Sequence, residues 1–171
     1  MTAVEKFKTN LANWFSKNGF GNVDLCFGED FAYVILDNGN FGVQVGIQAY
    51  PEVGRYFEQF LYEYGLDYMG IFDPVLSLIH ELGHNKTINC FDETELALCD
   101  FAKHICCESE DEHDWFNNYW EVPDEFAANM WAIKFINGHI EAVEELCDIY
   151  ANDWSAIFEE TTMEELLNEV A

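Results

Sequence analysis

His80-Glu81-Leu82-Gly83-His84 brings together, in five consecutive residues, the side chains of this 171-residue chain best suited to chemistry. On a helix, positions four apart share a face, so His80 and His84 present two imidazoles to one divalent ion. Glu81 is turned about 100° around the axis and reaches water at that ion without being a ligand. The ion implied is zinc (Zn2+). It lowers the pKa of water, Glu81 takes the proton, the hydroxide attacks a polarised peptide carbonyl, and Glu81 hands the proton to the leaving amine. By residue frequencies such an HExxH pattern arises by chance in roughly one chain per hundred of this length. Here it uses two of only five histidines. The plain alternative is two surface histidines flanking a solvated glutamate.

A hydrolytic site needs a third protein ligand and one open position. An HExxHxxGxxH continuation fails, because Thr87 stands at the glycine position and Cys90 at the last histidine. Glu125, in Pro123-Asp124-Glu125-Phe126-Ala127-Ala128-Asn129, is the favoured third ligand. Small residues at Ala127, Ala128 and Ala132 let its helix approach the metal helix. Asn129, one turn along, is placed to bond His80 or His84 from behind. Glu121, Asp124, His104 and His113 stay open as other ligands, and His139 as a group facing a developing oxyanion.

HELGH followed by Glu-x-x-Ala-Asn on a later helix resembles the gluzincin zinc peptidases, most closely the compact ImmA/IrrE-type members. Ala127 and Trp131 stand where that family carries glutamate and phenylalanine. The resemblance implies an α+β fold with a small sheet beside the metal helix. It also implies zinc on His80, His84 and Glu125, and Glu81 as the base. By fold-level analogy a regulator, such as a DNA-binding repressor, would be the substrate.

The elements that must position these groups are legible in outline. Val4, Phe7, Leu11, Trp14 and Phe15 recur at helical spacing, predicting an amphipathic helix over 3–17. Val23 to Phe27 reads as a strand. Phe31 to Leu36 and Phe41 to Ala49 flank Asp37-Asn38-Gly39-Asn40, a hairpin signal. If the strand from Phe41 ends as a sheet edge near the metal helix, it can pair with an extended peptide; the alternative is a core strand. Helices are predicted from about Glu52 to Tyr64, from Asp73-Pro74 through the histidines, over Asp92 to Cys107, and from Pro123 to about Ile136 before Asn137-Gly138. Two more are predicted over Ile140 to Asn152 and Thr162 to Val170. The expectation is one α+β domain over 1–171, with a small antiparallel sheet beside a mainly helical, zincin-like body.

Composition bounds the partners. Thirty-three acidic residues against seven basic ones give a formal net charge of −26, and 16% aromatic residues argue for a folded chain. That field repels nucleic acid and anionic membrane surfaces, and favours a basic protein or peptide as substrate. No apolar run is long enough for a signal or a span, and the six cysteines form no CxxC pair, so a reduced, cytoplasmic protein is expected. Cys106-Cys107 is read as buried helix packing rather than a redox pair. Lys6, Lys8 and Lys17 are expected to grip the acidic body. The competing function is a non-enzymatic acidic decoy that occupies the basic surface of a nucleic-acid-binding protein.

Overall fold

Thr2 starts the first helix by accepting the backbone N–H of Glu5, whose carboxylate accepts the Thr2 N–H in return. The computed structural model describes residues 1–21, 23–28, 32–35, 41–46, 64, 71, 73–108, 118–162 and 166. Helix α1 (Ala3–Lys17) buries the predicted stripe of Val4, Phe7, Leu11, Trp14 and Phe15. The Trp14 indole donates to the Ala142 carbonyl at 2.8 Å. All three lysines of α1 meet the body: Lys6 pairs with Asp153 at 2.5 Å, Lys17 with Glu145 at 2.6 Å, and Lys8 lies over the Phe27 ring.

Strands β1 (Asp24–Gly28), β2 (Ala32–Ile35) and β3 (Phe41–Gly46) form a three-stranded sheet in the order β1-β3-β2. Strand β2 runs antiparallel to β3, from Ala32 opposite Gln44 to Ile35 opposite Phe41. Strand β1 runs parallel to β3, from Asp24 opposite Gly42 to Gly28 opposite Gly46. The sheet is therefore mixed, not the antiparallel sheet expected. Strand β3 inserts between β1 and β2, and the alternation that buries Val43 and Val45 suits either direction of a neighbour. Because β3 is hydrogen-bonded on both sides, it is not an edge and cannot accept a substrate strand. Among the described residues the edges are β1 and β2, and the helix carrying His80 and His84 packs against β2 and β3. The Asn38-Gly39 turn, the helix expected over Glu52 to Tyr64 (Tyr64 apart) and the helix of Thr162 to Val170 (its first residue and Leu166 apart) lie outside the described residues.

Helix α2 (Asp73–Thr87), extended by a 3₁₀ turn (Ile88–Cys90), carries the HExxH residues. Every residue from Val75 to His84 on it is buried, as expected of a helix wrapped on all sides. Helix α3 (Glu93–Cys107) opens with an Asp92–Glu95 capping box. Helix α4 (Pro123–Gly138) begins at proline, which needs no hydrogen-bond acceptor in the first turn. Helix α5 (Ile140–Ile149) was expected to stop near Asn152. It instead continues through a π-helical turn (Tyr150–Trp154) into α6 (Ser155–Glu160). Residues of α1, the sheet, α2, α4, α5 and α6 share one apolar core. The fold is α+β, mainly helical with a small sheet. No helix among the described residues is long and apolar enough to cross a membrane.

Candidate metal centre

Helices α2 and α4 pack directly against each other at the motif. An added Cβ on Gly83 would sit 2.5 Å from the Ala128 carbonyl oxygen, so only glycine allows this approach. Ala128 and Ala132 are buried at the interface, as predicted, while Ala127 is partly exposed. The approach brings the start of α4 over the histidines of α2.

Three donor atoms converge there. His80 Nε2 and His84 Nε2 are 3.2 Å apart, and Glu125 Oε2 lies 3.2 Å from the first and 3.3 Å from the second. All three side chains are buried. Donors around a tetrahedral ion with bonds of about 2.0–2.1 Å stand about 3.3–3.4 Å apart, so the triangle has the size of one tetrahedral face. Asn129 decides the protonation behind it. Its Oδ1 lies 2.8 Å from His80 Nδ1. An amide oxygen only accepts, so Nδ1 carries the proton, and in the neutral ring the Nε2 lone pair faces Glu125. A lone pair, a second imidazole nitrogen and a carboxylate oxygen at these distances can share a proton or hold a metal ion.

The electrostatics agree. Burial discourages charge on Glu125, yet the bonds from His80 and His84 hold its carboxyl well below the usual carboxylate range. Burial alone would make His80 harder to protonate, but Glu125, Glu81 and Asn129 outweigh it and push the ring up. The site attracts positive charge, and a proton and a metal ion compete for the same place.

Glu81 is buried, and a carboxylate oxygen of it lies within 4.8 Å of a ring nitrogen of each histidine. His84, Asp124 and Glu125 form a second such group. These buried groups can hold a metal ion. Asp124, left open as a ligand, is bonded to Lys103 at 2.7 Å. Glu121 is exposed and belongs to neither group. His104 pairs with Glu108 on the outer face of α3, and His113 lies outside the described residues. His139 follows the far end of α4, where its Nδ1–H donates to the Phe135 carbonyl at 3.1 Å and its ring stacks on Phe135. Fourteen residues of helix separate it from Glu125, about 21 Å, so it does not face an oxyanion at this centre. Cys106 is partly exposed and Cys107 exposed, which corrects the expectation that the pair is buried.

Three neighbours of the site escaped the sequence reading. Lys103 on α3 lies 3.2 Å from Glu125 Oε1, the Tyr119 hydroxyl donates to the same oxygen at 3.4 Å, and Trp120 meets His80 edge to face. A signal for Lys103 existed: it shares the inward face of α3 with Cys99 and Cys106, and a cation on a buried face must meet an acid. We found no family model, curated protein or solved structure that matches the chain.

Proposed function

We propose that this chain is a zinc-dependent endopeptidase of gluzincin type, hydrolysing a peptide bond in a basic protein or peptide. The observation that carries the reading is the convergence of His80 Nε2, His84 Nε2 and Glu125 Oε2 beside the buried carboxylate of Glu81. Two imidazoles and one carboxylate are the donors that zinc favours over magnesium or calcium, and three protein donors leave a position for substrate. When bound, zinc supplies a Lewis acid that polarises the peptide carbonyl and makes water more acidic.

The chain's own groups do the rest. Glu81 accepts a proton from the attacking water as the new C–O bond forms. As the C–N bond breaks, Glu81 returns that proton to the leaving nitrogen. Asn129 holds His80 in the tautomer that leaves the lone pair on Nε2. Burial of Glu81 among α2 and its neighbours keeps bulk water from competing for that proton. A net charge of −26 draws basic segments to the protein. A reducing, cytoplasmic compartment suits its six free cysteines.

Metal analysis tests the first step. One zinc per chain is expected, lost in His80→Ala with the fold retained; folded wild-type protein that takes up no zinc would overturn the reading. Glu81→Gln should keep the metal and lose about 100- to 10,000-fold in peptide hydrolysis. The same net charge favours a second reading, a decoy for the basic surface of a nucleic-acid-binding protein. Stoichiometric inhibition that survives Glu81→Gln and collapses at raised salt would point to it.

A further inference from the structure

We infer that Lys103 is a positioning residue that selects Glu125 over Asp124 as the third metal ligand and keeps Glu125 bound through one oxygen. The inference rests on the zinc-site reading above. Asp124 and Glu125 are consecutive at the start of α4, and both are buried. Either carboxylate comes within ligand reach of His84. Nothing in their order along the chain decides between them.

The ammonium of Lys103 does. It lies 2.7 Å from Asp124 Oδ2 and 3.2 Å from Glu125 Oε1, reaching in from α3 with its head group largely buried. Asp124 is thereby drawn to the lysine side. Glu125 is divided: Oε1 receives Lys103 and the Tyr119 hydroxyl, and Oε2 alone faces both histidine nitrogens. An oxygen already bonded to an ammonium and a phenol is a poor second metal donor. The ammonium also occupies the space between the two carboxylates where a second cation would otherwise sit, which makes the centre mononuclear. A compact charge with three donors suits this, since the acceptors it satisfies belong to different side chains.

The experiment compares wild type, Lys103→Met and Lys103→Arg, loaded with zinc against a chromophoric chelator and separately with cobalt. Folding is followed by circular dichroism. Wild type should bind one ion. Lys103→Met should lose about 10- to 100-fold in zinc affinity. Its cobalt absorption bands should weaken as a further carboxylate oxygen joins the ion, and Lys103→Arg should recover most of both changes. Lys103→Met with wild-type affinity and unchanged cobalt bands would overturn the inference while leaving the zinc site standing. Wild type that binds neither metal would remove the parent reading and this inference with it. Should Lys103→Met fail to fold, the two carboxylates answer separately. Glu125→Gln should cost on the order of 100-fold or more, and Asp124→Asn less than about tenfold; the reverse order would overturn the selection.

Discussion

Gly83 lies against Ala128 so closely that a methyl group on Gly83 would come within 2.5 Å of the Ala128 carbonyl oxygen. Helix propensity alone favours alanine over glycine by about 1 kcal/mol within a helix. Here the obstructing atom is backbone and cannot rotate away, so the steric term should win. Gly83→Ala is expected to destabilise the fold by about 1–3 kcal/mol and to weaken metal binding by parting α2 from α4. Denaturant unfolding with and without zinc measures both effects. A more stable variant with intact zinc affinity would contradict the packing account.

Asn129 acts on the site through the proton it fixes on His80 Nδ1, at 2.8 Å. Asn129→Ala removes that acceptor without touching a ligand, and should lower zinc affinity about 10- to 100-fold. Competition with a chelator reads the change directly. Affinity equal to wild type would mean the tautomer is held by something else.

The N-terminal helix is clasped by two ion pairs of unequal weight. Asp153 is buried and accepts both Lys6 and Asn10, whereas Lys17 and Glu145 are exposed. Asp153→Ala should cost about 1–3 kcal/mol, because two donors lose their acceptor at a buried position. Lys17→Ala should cost less than about 1 kcal/mol. Thermal unfolding separates the two; equal losses would refute the ranking.

Attraction of basic substrates by an acidic surface is a screened, long-range effect. The screening length falls from about 10 Å at 0.1 M salt to about 3 Å at 1 M. Hydrolysis of a lysine-rich peptide should therefore drop steeply over that range in kcat/KM, and hydrolysis of an uncharged peptide should not. Parallel salt responses for the two peptides would remove charge from the account of substrate choice.

Removing the metal should expose how far the fold leans on it. A ligand at a thousand times its dissociation constant adds about 4 kcal/mol to stability. Chelation is thus expected to lower the unfolding midpoint of wild type and to leave that of His80→Ala unmoved. A wild-type midpoint indifferent to the chelator would argue against a bound ion at this site.

What could be read from the residues alone was local. His80, Glu81 and His84 sit on one helix, so the 3.6-residue period dictates their shared face before any tertiary contact exists. The same holds for the buried stripe of α1 and for the proline that opens α4. Glu125 and Asn129 were legible because they lie one turn apart on that helix, although nothing in their spacing stated that α4 crosses α2. What the tertiary structure decided was non-local. It put β3 between β1 and β2, with β1 parallel, since a strand's alternation says which face is buried but not which neighbour it takes. It also brought Lys103 and Tyr119 from other segments onto the far oxygen of Glu125. Side chains distant in sequence meet only after the helices pack, so the ion pairs of Lys103 with Asp124 and Glu125 belong to the fold rather than to the motif.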